Sequence, residues 1–183
     1  MSANRLKLNT DKTQFILLGT RQQLVKVKCK SISLDGVDIP FSDEITCLGV
    51  VFDNELKFST HIKRLAGKCF YHLRQMRSLR RSLSVDAAKT LVNEFITSRI
   101  DYCNSVFSRV AMTHLRPLQS VLNAAARQIV KKRKYNPITA TIPDVLHWLP
   151  IQQRIEHKLC DLASYCSSIS NGTVCSCVNT PMS

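Results

Sequence analysis

Residues 58–83 read FSTHIKRLAGKCFYHLRQMRSLRRSL. Phe58, Ile62, Leu65, Cys69, Leu73, Met76 and Leu83 recur at three or four residues, with Leu79 at the edge of the stripe. At about 100° per residue this period is one face of a helix. Ser59 or Thr60 is suited to cap its start. Lys57, Arg64 and Lys68 fall on one flank of the stripe, and Lys63, Arg74 and Arg81 on the other. An ordinary solvated face mixes signs, but this stretch holds no acid. Long cationic stems beside an apolar seam suit the tracking of phosphates.

Downstream the helical period continues. Ser84 is placed to cap a second helix, with Asp86 in its first turn. Its expected buried side is Leu91, Phe95, Cys103, Val106 and Val110. Thr113 is expected to cap a third helix, in which Pro117 is tolerated because early backbone N–H groups lack partners. Leu118, Val121, Leu122, Ala125 and Ile129 mark its apolar face, and it runs into Lys131, Lys132, Arg133 and Lys134. Those cations complement the C-terminal end of the helix dipole. Pro137 and Pro143 bound a linker, and Pro150 opens a fourth helix expected to reach about Ser167. From Ser168 the chain is rich in Ser, Asn, Thr and Cys and is expected to fray.

Upstream the period falls to two. Residues 2–9 read as the end of a helix, and Thr13–Leu18 as a compact apolar strand stopped by Gly19. Ser31–Leu34 and Val37–Ile39 flank Asp35-Gly36, a hairpin signal, with Pro40 ending the second strand. Ile45–Phe52 reads as one apolar strand in which Gly49 marks a bulge or a close backbone approach. The expected fold class is α+β: a small antiparallel or mixed sheet followed by a basic helical bundle. The expected organisation is a mixed part over 1–56, a basic bundle over 57–134, a linker and helix over 135–167, and a disordered tail over 168–183.

The chain has 183 residues and a net charge of +13. Residues 1–56 sum to zero, so the whole excess lies in 57–183. Two windows, Glu55 to Asp86 and Asp101 to Asp144, contain eight and seven Lys/Arg and no intervening acid. Such blocks repel one another unless a polyanion meets them, and the expected partner is nucleic acid. No apolar stretch reaches the ~18 residues of a membrane span, and the start of the chain lacks the apolar core of a signal peptide. The expectation is an intracellular protein with no membrane partner and no small-molecule substrate. Most of the eight cysteines lie singly in apolar patterns and read as buried thiols. Cys175-Ser-Cys177 has too short a gap for a zinc site, so no metal ligand is assigned. Asn171-Gly172-Thr173 matches a glycosylation sequon by chance if the chain follows no secretory route. His61 and His72 lie near a basic flank and are expected to be solvated. Asp101-Tyr102-Cys103-Asn104 is expected to form an interhelical hydrogen-bond set. His147-Trp148 reads as a packing anchor. The chain has no Ser-His-Asp set and no P-loop, so an independent enzyme is not expected.

Five stretches in order carry a resemblance. They are Asn4–Thr13, Leu48–Asp53, Ser98–Ser105, Asn123–Arg127, and His147–Pro150 followed by Arg154-Ile155. Together they resemble the C-terminal portion of the reverse transcriptase of non-LTR, LINE-type retrotransposons of the jockey-related kind. The resemblance covers about residues 1–160. It implies that Asn9–Leu18 is the end of the palm, called motif D. It implies that Leu48 and Gly49 lie in motif E, the primer-grip hairpin, and that residues from about 58 belong to the thumb, a helical bundle that holds the template–primer duplex. Lys12 matches a motif-D lysine that can protonate leaving pyrophosphate; without a metal site its expected role here is structural. The thumb assignment makes Lys57, Lys63, Arg64, Lys68, Arg74, Arg77 and Arg81 the candidate contacts to an RNA–DNA or DNA duplex. Lys131, Lys132, Arg133 and Lys134 join them.

Polymerase chemistry in this family uses Mg²⁺ held by an aromatic-x-Asp-Asp motif and an earlier Asp, all upstream of motif D. This chain has no Asp-Asp pair, and its only adjacent acids are Asp43-Glu44. Met1 falls inside a family helix, and after Lys158 the sequence departs from the family. The expectation is a catalytically inert piece of an RNA-directed DNA polymerase with no cofactor of its own, opened at an internal methionine. Its alternatives are a stand-alone nucleic-acid-binding module and a non-functional chain from a decayed copy.

Overall fold

The computed structural model describes residues 9, 12–34, 36–132, 136–138 and 146–170. It is α+β, with two separate two-stranded antiparallel sheets followed by helices. The chain divides into two compact units, Met1–Leu65 and Ala66–Ser183.

In the first unit, helix α1 (Arg21–Lys26) is set by a capping box. The Thr20 hydroxyl accepts from the Gln23 backbone at 3.4 Å, and Gln23 Oε1 accepts from the Thr20 N–H at 2.9 Å. Strands β1 (Ser31–Leu34) and β2 (Val37–Pro40) form the expected hairpin, with Ile32 opposite Ile39 and Gly36 at φ +81° in the turn. Asp35 and residues 1–8 lie outside the described residues.

Two strand expectations need correction. Thr13–Leu18 is not a strand: only Phe15 bridges, in parallel, to Phe41. Its chain is fixed by isolated bonds, Ser42 N–H to the Phe15 carbonyl at 2.8 Å and Gly19 N–H to the Asn54 carbonyl at 3.0 Å. Apolar content alone makes no ladder; a strand forms only where a neighbour's backbone groups pair with it along its length. Ile45–Phe52 is not one strand but a hairpin, β3 (Glu44–Cys47) paired with β4 (Val50–Asp53). Leu48 and Gly49 turn it, both left-handed at φ +48° and +82°. Consecutive positive φ angles match the right-handed twist of a hairpin. The apolar Leu48 hides this turn from a hydropathy reading.

Helix α2 (Ser59–Leu79) starts after Phe58, which is left-handed at φ 54° and whose carbonyl accepts from Ile62 N–H at 2.9 Å. Ser59 and Thr60 therefore sit inside the first turn, not ahead of it. Phe58 meets Phe52 edge-on at 5.4 Å. His61 is buried, not solvated: its Nδ1 accepts from the Val51 N–H at 3.2 Å. A buried donor of strand β4 is thereby satisfied from a helix.

In the second unit, Cys69, Leu73 and Met76 bury the remainder of the α2 stripe. Ser84 caps helix α3 (Val85–Val92), its hydroxyl accepting from Ala87 N–H at 3.1 Å. A π-helical turn (Asn93–Thr97) and a short helix α4 (Ser98–Asp101) follow. Cys103, at φ 53°, then breaks the chain into a 3₁₀ turn over Asn104–Phe107. The buried side is Ala88, Val92, Ile96, Ile100 and Phe107, whereas Phe95 is 43% exposed. The expected Leu91–Phe95 face is thus corrected by one position. A strict four-residue spacing over-rotates an α-helix by about 40° per step, and the wider π turn absorbs that drift.

Helix α5 (Met112–Ile129) buries Leu115, Leu118, Val121, Leu122, Ala125, Ala126 and Ile129. Ala111 occupies its N-cap without a side-chain bond, so Thr113 lies inside the helix. Pro117 lies beyond the donors that lack partners, and it forfeits one internal bond. Helix α6 (Ile151–Ser170) follows Pro150, whose carbonyl accepts from Arg154 N–H at 3.0 Å. Gln119 of α5 satisfies the Ile151 N–H at 3.0 Å. Arg154 Nη1 reaches Asp101 at 2.7 Å, and Asn104 donates to the same carboxylate at 3.5 Å. The Asp101–Asn104 segment therefore ties helices together as expected, although Asn104 Oδ1 is buried with no hydrogen-bond partner among the described residues. Trp148 is buried and His147 exposed at φ 54°. Residues 171–183, with Cys175, Cys177 and the sequon, lie outside the described residues.

Candidate nucleic-acid interface

A cleft of about 720 Å³ opens in the second unit between the C-terminal half of α2 and the C-terminal half of α5. Helical spacing builds one wall. Arg74, Arg77 and Arg81 sit at intervals of three and four residues, one face of α2 and its exit. The opposite wall carries Arg127, and Lys131 and Lys132 follow just past the end of α5. No carboxylate lines the cleft among the described residues. Arg74, Arg77, Arg81 and Lys131 form no ion pair among the described residues.

The walls are fixed to each other by two side chains. Arg80 is only 7% exposed. Its Nη2 donates to the Ile129 carbonyl at 2.6 Å, its Nε to Gln128 at 2.8 Å and its Nη1 to Leu83 at 2.8 Å. Two of these acceptors belong to the last turn of α5, which has no intrahelical donors for them. Gln128 reaches back: with its amide nitrogen toward α2 it donates to the Leu73 carbonyl at 3.2 Å and accepts from Arg77 N–H at 3.0 Å. Lys131, left-handed at φ 55°, turns the chain so that Lys132 N–H bonds the Arg127 carbonyl at 3.0 Å. That is the long bond of a Schellman ending made without glycine.

The expected cations therefore separate. Arg74, Arg77, Arg81, Lys131 and Lys132 converge. Lys57 and Arg64 do not present free charge: Lys57 pairs with Glu55, and Arg64 meets Glu44 at 3.3 Å. Both acids come from the first unit, so the α2 flank that is acid-free in sequence is not acid-free in space. Lys63 and Lys68 are exposed and do not line the cleft. Arg133 and Lys134 lie outside the described residues. Arg80 and Arg127 were not in the sequence-derived set. Arg127 is legible as the residue one turn before Lys131 on the same face; nothing local distinguishes Arg80 from its neighbours.

Elsewhere, Lys12 is exposed, and its backbone N–H bonds the side chain of Asn9 at 3.2 Å. Leu48 stands 83% exposed at the β3–β4 tip beside Gly49. His72 is half-buried, its ring 5.7 Å from both Tyr71 and Phe95, so it packs where solvation was expected. The thiols also depart from expectation: Cys29, Cys47, Cys160 and Cys166 are exposed, Cys103 is half-buried, and Cys69 alone is buried among the described residues. Burial pushes the Cys69 thiol up to about 11, against a smaller opposing pull from Arg99.

Among the described residues no group of three or more His, Cys, Asp or Glu side chains converges to hold a metal ion. Among the same residues no helix is long and apolar enough to cross a membrane. The chain matches no family model, no curated protein and no solved structure.

Proposed function

We propose that this chain is the palm-end and thumb portion of an RNA-directed DNA polymerase, and that it grips a template–primer duplex without carrying out the chemistry. The convergence of cations on the α2–α5 cleft, with no carboxylate among its described lining residues, is the observation that carries this reading. A phosphate backbone laid along such a wall releases its condensed counterions, which gives affinity without sequence preference. The tip of the β3–β4 hairpin supports it further. A leucine held left-handed and exposed is costly, and such strain concentrates where a surface is used. A primer-grip hairpin would use it. The catalytic carboxylates are absent from the sequence, which has no Asp-Asp pair.

The test is fluorescence anisotropy with a labelled RNA–DNA hybrid across a salt series. About five phosphate contacts give a slope of log affinity against log salt near −4 to −5. Replacing Arg74, Arg77 and Arg81 together by Gln should flatten that slope by about three contacts' worth, to roughly −2. A salt-insensitive interaction would refute the proposal. Primer extension with Mg²⁺ should be undetectable, and measurable extension would equally refute it. Because the described lining of the cleft comes from residues 70–132, a second reading stands beside the first: a nucleic-acid-binding module that needs no other polymerase part.

A further inference from the structure

The cleft is not only cationic. Phe70 lines it and is 41% exposed, with Leu73 and Ala124 beside it. A surface that only tracks phosphates gains nothing by leaving a phenyl ring in water; covering that ring requires apolar or aromatic ligand surface. A duplex cannot supply it, because its bases are stacked inside and its phosphates face outward. An unpaired nucleotide supplies it, since every base has a free π-face and a stacked base brings its phosphates to the rim.

We infer that the cleft accepts an unpaired nucleotide of a single strand, its base on Phe70 and the apolar floor, its flanking phosphates on Arg74, Arg77 and Arg127. This rests on the nucleic-acid reading above and narrows its ligand. Phe70 confers preference for unpaired bases, while the arginines serve any phosphate backbone.

The experiment uses the full chain and three labelled ligands of about a dozen nucleotides each: a single strand, a blunt duplex and a single strand of abasic sites. Phe70→Ala should weaken the single strand about tenfold and leave the duplex within about twofold. Phe70→Trp should restore single-strand affinity, which separates lost stacking from lost structure. Wild-type protein should bind the abasic strand about as weakly as Phe70→Ala binds the normal strand. Equal losses on single strand and duplex, abasic binding as tight as normal, or no rescue by Trp would each overturn the inference while leaving the cationic cleft intact. Failure of every ligand to bind, or indifference to the arginine substitutions, would overturn the nucleic-acid reading and this inference with it.

Discussion

Arg80 and Cys69 show how far one side chain's setting departs from its type. Arg80 sits amid a run of exposed cations, yet it is buried and spends its guanidinium on three carbonyls. Arg80→Ala would leave those acceptors without a charged donor and should cost about 3 kcal/mol, read from urea unfolding. Arg80→Lys should recover only part of that, because a point ammonium cannot reproduce a planar fork. Cys69 is fully enclosed. With its thiol near 11, about one part in a thousand is thiolate at pH 8, so a maleimide should modify Cys29, Cys47, Cys160 and Cys166 in the native chain and spare Cys69. The folded value lies above the ordinary 9.0, so this group's contribution to stability is whole below pH 9 and is lost as pH rises toward 11. Wild type should lose more stability than Cys69→Ala across that interval.

At the scale of elements, legibility followed the locality of the cause. The β1–β2 hairpin and the Ser84 cap are written in adjacent residues, Asp35-Gly36 and Ser84-Val85-Asp86, and both formed. The α1 capping box, Thr20 and Gln23, was equally local, but it heads a six-residue helix with no buried side and so shows no apolar period. The β3–β4 turn escaped because Leu48 stands where Asn is the usual choice. Leu48→Asn should therefore stabilise the first unit by about 0.5–1 kcal/mol, and Gly49→Ala should destabilise it by about 1–2 kcal/mol, both from thermal melts. The π turn after α3 arises from a four-residue apolar repeat that an ideal α-helix cannot keep in phase, and period matching assumes the ideal helix.

For the molecule as a whole, the charge map along the chain located the cationic region but not its grouping. Glu44 lies twenty residues from Arg64, and Arg127 is nearly fifty from Arg80; only tertiary packing decides which cations are spent and which remain available. Packing also distributes stability unevenly. Among the described residues the first unit buries few apolar side chains, Ile39, Val50, Val51, Phe58 and Ile62, whereas α5 alone buries seven residues. Native-state hydrogen exchange should find the slowest amides within 121–129 and the fastest strand amides within 31–40. The reverse order would contradict this account of the two cores.

The placement of Arg80 has an electrostatic corollary. A helix ends in a negative pole, and α5 ends at the cleft proposed above to meet phosphates. Left bare, that pole would push an approaching anion away. Arg80 donates to the carbonyls at that pole, so a guanidinium spent on holding the fold would also ease the approach of the proposed phosphates.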